Sequence, residues 1–197
     1  MNSTMQTQQR ILNAARELIH SRSYADVGVA LICDRAQVKK GSFYHFYPSK
    51  QELTLAVLDT YFVDMKEQLL DNAFKNDIPP LARLKRMAQM AYEFQKELQK
   101  QTGHVLGCPF GNIATELSTQ DETIRKKVEH IFTKLQSGIK QVLVQAQEDE
   151  CIEPFNTEAT AEAMLAYFEG IVLLAKTRND PEIIKQLLPA IADIRII

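Results

Sequence analysis

Residues 36–53 read AQVKKGSFYHFYPSKQEL. Phe43, Tyr44, Phe46 and Tyr47 crowd beside Lys39, Lys40 and Lys50. Two readings are open: a short buried helix with charged shoulders, or a surface that meets a polyanion. Pro48 closes the aromatic run, because the residue before proline avoids the helical region. Ser49-Lys50-Gln51-Glu52 is then a capping-box pattern that starts a new helix. Upstream, VALICDRA and KKGSFYHF are two short segments joined by the tight connection Ala36-Gln37-Val38-Lys39. Helices that short need a tertiary partner. Two of them across such a turn form a helix-turn-helix, whose second helix lies in the major groove of DNA. On that reading Phe43 and Phe46 turn inward, and Lys40, Ser42 and His45 face outward. Gly41, with no Cβ, lets backbone approach DNA closely. Tyr44 offers a hydroxyl to a phosphate, and Lys50 sits in a first helical turn, where backbone N–H groups already favour an anion.

The rest of the chain reads as helix. QQRILNAARELIHSR places Ile11, Ala14, Ala15, Leu18 and Ile19 on one stripe, which can close a small core with Leu31, Ile32, Val38 and Phe43. A long helix follows the capping box through Leu53, Val57, Tyr61, Met65 and Leu69. Pro79-Pro80 opens another, carrying Leu81, Leu84, Ala88, Ala91, Phe94 and Leu98 and ending at Gly103. A short helix runs from Pro109 or Phe110 to Leu117. Thr119-Gln120-Asp121-Glu122 resembles a second capping box, followed by Ile124, Val128, Ile131, Leu135, Ile139, Val142 and Leu143 at helical spacing. CIEPFN, residues 151–156, is a loop. Two helices remain, Thr157 to about Lys176 and Pro181 to the C-terminus. The expectation is an all-α protein of about nine helices. Its N-terminal three-helix head spans 1–48, and an effector and dimerisation bundle spans 49–197, with 49–74 as the linking helix.

The chain of 197 residues can bury a sizeable core, and its 45% hydrophobic content argues against disorder. Through residue 50, seven Lys and Arg face three Asp and Glu, a net of +4 against −6 for the remainder. A basic head on an acidic body fits a nucleic-acid contact confined to one end. Cys33, Cys108 and Cys151 are widely spaced and His is scarce, so neither a zinc site nor any other metal or cofactor is expected. The odd thiol count, the lack of a signal peptide and the lack of a membrane-length apolar run fit the cytoplasm. GxGxxG, GxSxG, HExxH and Walker patterns are missing, so an enzyme is not expected.

AQVKKGSFYHFYPSK closely resembles the DNA-binding head of the TetR family of transcriptional regulators, whose members show patterns of the form AGVSKGTLYHHFPSK. Gly41, Tyr44, His45, Pro48, Ser49 and Lys50 match directly, and RILNAARELI agrees in spacing and hydrophobic pattern. The resemblance implies groove contacts from Lys40, Ser42 and His45 and phosphate contacts from Tyr44 and Lys50. It also implies a homodimer on an inverted-repeat operator of double-stranded DNA. Three positions depart from the pattern. Gln37 stands where glycine usually accommodates the turn, which asks it for a positive φ. Lys39 replaces a usual Ser or Thr cap and offers a replacement phosphate contact. Gly28 likewise replaces a Ser or Thr near the second helix.

In the body, Ala163, Ala166 and Gly170 form a small-residue seam flanked by Tyr167, Ile171 and Leu174, and the last helix adds Ile184, Leu187 and Leu188. The family's dimer is usually built from these last two helices; the alternative is packing within one subunit. The input signal points to GHVLGCPFGNIATEL, residues 103–117, where Cys108 stands at the start of a short helix, a place that favours thiolate. This segment resembles one in the branch that includes the N-ethylmaleimide-responsive repressor, where a cysteine senses reactive species. Cys108 is then either a sensor or buried packing. The competing input is a non-covalent ligand among His104, Cys108, Phe110, Asn112, Tyr92, Phe94, Phe132 and Phe168. The expected function is an operator-binding repressor released by a small-molecule or electrophile signal. The alternative is a helical small-molecule-binding protein without DNA-regulatory activity.

Overall fold

The stripe from Ile11 to Ile19 becomes the buried face of α1 (Ser3–Ser21) in the computed structural model, which describes residues 3–149 and 153–197. Cys151 lies outside them. The described residues are helical apart from turns and loops, and they fall into two compact units. The first comprises Met1–Phe62 and Pro109–Val128, and the second Val63–Cys108 and Glu129–Ile197.

In the first unit, α1 packs on α2 (Val29–Ala36) and α3 (Lys40–Phe46). Ile32 and Phe43 are fully buried between them, as the stripe predicted. Phe46, expected inward, is only half-buried, and Tyr47 takes its place with 6% exposure. The reason is local: Tyr47 leaves the helix with an extended backbone, φ −131°, which swings its side chain out of helical phase and into the core. Next comes α4 (Lys50–Met65), whose first turn is capped by Ser49 Oγ accepting from Glu52 N at 3.1 Å. The Tyr61 hydroxyl donates to Arg16 O at 2.8 Å and fastens this helix to α1.

The connection between α2 and α3 ends α2 in a Schellman turn. Val38 N donates to Cys33 O at 2.9 Å, and Gln37 N donates to Asp34 O at 3.0 Å. Gln37 occupies the left-handed position at φ 52°, ψ 52°, as its replacement of glycine requires. Such a conformation costs a non-glycine residue roughly 1–2 kcal/mol. Neither Gly28 nor Lys39 supplies a side-chain cap to the helix that follows it.

The linking helix continues from α4 through a π-helical stretch, Lys66–Leu70, into α5 (Asp71–Ala73). In the second unit, α6 (Pro80–Thr102) starts with Pro80 in its first turn and stops at Gly103, φ 80°. Its buried arc runs through Leu84, Met87, Ala88, Ala91, Tyr92 and Gln95. Phe94, expected on this stripe, sits just past the edge of the arc and is 49% exposed. Next come α7 (Pro109–Leu117), α8 (Glu122–Asp149), α9 (Thr157–Arg178) and α10 (Glu182–Leu187). With α4, its π stretch and α5 taken as one helix, and α10 with the 3-10 turn that extends it as another, nine helical segments lie among the described residues. The second unit's core gathers Leu84, Tyr92, Leu143, Met164, Ile184 and Leu188.

Two boundaries differ from expectation. The cap of α8 is Asp121, not Thr119: its Oδ1 accepts from Thr123 N and Ile124 N, both at 3.0 Å. Thr119 lies inside the turn that precedes it. The last helix does not reach the C-terminus. Pro189 withholds a donor, the backbone tightens to 3-10 geometry over Leu188–Asp193, Ile194 turns extended, and residues 194–197 carry no helix. Ile196 N donates to Thr160 Oγ1 at 2.9 Å, and Ile196 O accepts from Asn156 N at 2.9 Å.

Asp121→Ala is expected to lower stability by about 1 kcal/mol, the usual loss for an N-cap, while Thr119→Ala leaves it within about 0.5 kcal/mol. Paired chemical denaturation curves check this; equal losses would reinstate Thr119 as the cap.

Candidate nucleic-acid interface and signal site

α3 turns one face to its unit's core and the other to solvent. Lys39, Lys40, Gly41, Tyr44 and His45 are exposed on that outer face, and Ser42 is half-buried beside them. Tyr44 keeps 53% of its surface open while its ring meets Phe43 edge-on at 5.1 Å. A Cβ built on Gly41 would meet nothing within 4 Å, so the backbone there is open to a close approach. Lysines, an imidazole and a phenol on one short helix face can bond phosphate oxygens and base edges.

Lys50 is placed differently from the other six. Its ammonium donates to Tyr24 O and lies 3.6 Å from the centre of the Tyr24 ring. Burial pushes its pKa down, and the nearby Glu116 carboxylate pulls the other way. Glu116, on α7, accepts from Tyr24 N at 2.8 Å and Ala25 N at 2.7 Å. One carboxylate thus takes two backbone donors of the α1–α2 loop, while Lys50 takes that loop's carbonyl. Gln51 adds a bond to Asp121 at 2.6 Å. Glu116 has no sequence signal of its own, because only the fold brings it across 91 residues to the loop.

The second unit holds Cys108 at the end of a loop pinned by side-chain amides. Gln95, 5% exposed, accepts from Gly107 N at 3.2 Å and donates to Gly107 O at 3.1 Å. Asn179 closes α9 in the left-handed conformation, φ 49°. Its side chain accepts from Val105 N at 2.8 Å and donates to Gly103 O at 3.0 Å. These bonds replace the ladder that a loop lacks. Cys108 is partly exposed and forms no disulfide.

Glu169 and Lys176 of α9 flank Cys108 electrostatically. Burial pushes the Glu169 carboxyl above its ordinary pKa, and a hydrogen bond with the Cys108 thiol offsets part of that. Its Oε1 is buried without a hydrogen-bond partner. Burial pushes the Lys176 ammonium down, and Cys108 pulls it back up. In general a carboxylate can take a thiol proton and an ammonium can stabilise the thiolate left behind. The missed signal was one acid, Glu169, inside the apolar run LAYFEGIVLLA.

The proposed ligand-lining residues are distributed over both units. Phe110 is fully buried, and it and Asn112 belong to the first unit. His104 is exposed. Tyr92 is 4% exposed, with its hydroxyl donating to Glu182 at 2.6 Å. Phe132 and Phe168 are half-buried. The α9–α10 residues divide similarly. Ile171, Ile184 and Leu188 are buried within their own unit. Gly170, Leu174 and Leu187 are exposed, and Ala163 and Tyr167 are half-buried.

Residues 11–57 match the family described as bacterial regulatory proteins, tetR family. Residues 80–188 match the family described as transcriptional regulator LmrA/YxaF-like, C-terminal domain. This chain belongs to the TetR family of transcriptional regulators. An HTH-type transcriptional regulator in the lacX 3' region of Lactococcus lactis subsp. lactis is 34% identical, over 91% of this chain and 88% of that one. The transcriptional regulator AcuR of Cereibacter sphaeroides is 32% identical over 88% of this chain and 78% of its own. A crystal structure of regulatory protein TetR from Rhodobacter sphaeroides superposes with a TM-score of 0.83 at 29% identity, covering 95% and 98% of the two chains. The repressor NemR of Escherichia coli is more distant, 23% identical over 95% of this chain and 93% of its own. As in other TetR-family chains, a helix-turn-helix head precedes a helical body. Among the described residues no helix is long and apolar enough to cross a membrane, and no group of three or more His, Cys, Asp or Glu could hold a metal.

The raised pKa of Glu169 has a defined sign for stability. The folded state binds its proton more tightly than the unfolded chain, so stability is lost as pH rises above the ordinary value of 4.5 toward the folded value. Glu169→Gln is therefore expected to melt higher than the parent at neutral pH, and the gap should close near pH 4.5. Melting curves between those conditions check it, and a gap independent of pH would refute the assignment.

Proposed function

We propose that this TetR-family chain is a sequence-specific, operator-binding repressor, active as a homodimer, that leaves DNA when an electrophile or small molecule acts at Cys108. The observation that carries the reading is the open basic face of α3, Lys39, Lys40, Gly41, Tyr44 and His45, on a head whose turn geometry is that of a helix-turn-helix. Two such heads related by a two-fold axis read an inverted repeat. A dimer is supported by α9, which is apolar on nearly every side: Leu173 and Leu174 stay 56% and 42% exposed, and Leu187 of α10 43%. Helices apolar all round are ordinarily covered, and open Gly170 permits close approach.

The Cys108–Glu169–Lys176 set supports a thiol-directed signal. Once its proton passes to Glu169, the sulfur can bond to an electrophilic carbon, and the adduct occupies space next to the first residue of α7. The match to the repressor NemR, over 95% of this chain, is in keeping with a repressor. A reversible small molecule contacting Glu169 and Lys176 is the second reading, favoured by the unpartnered Glu169 Oε1.

Selection from a random duplex library at about 0.15 M salt is expected to enrich one inverted repeat bound by a dimer, with affinity falling steeply as salt rises. Lys40→Ala with Tyr44→Phe should abolish that binding and leave the melting temperature in place. A folded protein that enriches nothing would favour the helical binding-protein alternative. Once the operator is in hand, Cys108→Ser is expected to bind it as the parent does and to stay bound under a mild electrophile or peroxide. The Cys33→Ser control should still be released. Ordinary release of the Cys108→Ser protein would leave the reversible ligand as the signal.

A further inference from the structure

We propose that Arg10 is a positioning residue for DNA recognition: from α1 it holds the Gln37 turn, and through that turn it sets the aim of α3. The inference rests on the operator-binding reading above, but its geometry stands on the head alone. The Schellman turn engages the carbonyls of Cys33 and Asp34. It leaves those of Ala36 and Gln37 at the negative end of α2, where helix carbonyls lack intrahelical donors. Arg10 Nη2 donates to both, at 2.5 Å to Ala36 O and 2.6 Å to Gln37 O. A cation on carbonyls at a helix C-terminus is favourable in charge as well as in hydrogen bonding.

The two bonds matter because of the residue they hold. Glycine would adopt the left-handed backbone at 37 without strain, but glutamine does not. This head therefore has a turn that its own sequence disfavours, tied down from outside by a guanidinium 27 residues earlier. Lys39 O accepts from Ser42 N at 2.9 Å and Phe43 N at 3.2 Å, and Lys39 gives no side-chain cap. The start of α3 is thus fixed by backbone alone, three residues beyond the tethered turn. A small rotation at Gln37 would carry Lys40, Tyr44 and His45 with it. Arg10 is exposed, so the competing account is a cation that meets a phosphate directly.

The test uses the full chain as Arg10→Met, Gln37→Gly, the double variant, and Arg10→Lys. Melting temperature is read on the protein alone. Affinity is read for the selected operator and an unrelated duplex over a salt series. Arg10→Met is expected to lower the melting temperature by about 2–4 °C. It should weaken operator binding roughly tenfold, about the loss of one base contact, with non-specific binding and the salt slope unchanged. Gln37→Gly should raise the melting temperature and shrink the effect of Arg10→Met on both readouts, because glycine holds the turn untethered. Arg10→Lys, which keeps a cation, should recover part of the loss. Equal weakening on both duplexes with a salt slope smaller by about one would make Arg10 a phosphate contact and overturn the proposal. Strictly additive melting shifts for Arg10 and Gln37 would also overturn it. If the parent selects no operator, the operator reading fails, and the additivity of the melting shifts still decides whether Arg10 holds the turn.

Discussion

Between Ala36 and Lys40 the backbone must end one helix, reverse and begin another, and every contact that α3 could make is aimed by how it does so. The solution is a left-handed residue flanked by two backbone bonds, Gln37 N to Asp34 O and Val38 N to Cys33 O. Neither neighbouring helix has a side-chain cap, so beyond those two bonds the junction is held by the Arg10 guanidinium on Ala36 O and Gln37 O. The surrounding unit supplies the stiffness. Phe43 and Tyr47 anchor one side of α3 in the core, and Tyr61 fixes α4 to α1 through Arg16 O. The polar face is free to meet a partner because the apolar face has already settled the helix.

The second unit uses the same device for another purpose. Asn179 ends α9 in the left-handed region with the same pair of backbone bonds, Asn179 N to Lys176 O and Asp180 N to Ala175 O. Asparagine tolerates that conformation better than glutamine does. Its side chain is then spare to hold Gly103 and Val105, while Gln95 holds Gly107. Cys108 follows directly on this pinned stretch. A reactive or ligand-sensing side chain benefits from such support, because a signal cannot be absorbed by slack in the loop that carries it.

The helix periods, the proline and glycine stops, the Ser49 cap and the positive φ of Gln37 were all legible in the sequence, since each is decided within a few residues. The errors have physical causes at longer range or at element ends. Tyr47 displaced Phe46 from the core because an extended residue breaks the helical phase that the pattern assumed. Thr119 and Asp121 compete for one cap, and the local pattern cannot say which the turn will present. Ile171, Ile184 and Leu188 look like their exposed neighbours until their own unit covers them. Of the site, the outward face of α3 and the position of Cys108 could be read. Glu116, Glu169 and Arg10 could not, because each acts on a group 26 to 92 residues away or on a neighbouring helix.

The π-helical stretch Lys66–Leu70 has a consequence for chain length. A π turn holds one residue more than the α-helix around it. None of the five residues of this stretch is buried, so the extra residue is accommodated at the surface rather than in a core. Deleting one residue here would let the stretch close as ordinary α-helix, each backbone N–H reaching four residues back instead of five. A one-residue change in length is therefore taken up by the helix's own hydrogen bonding, at exposed and half-buried positions.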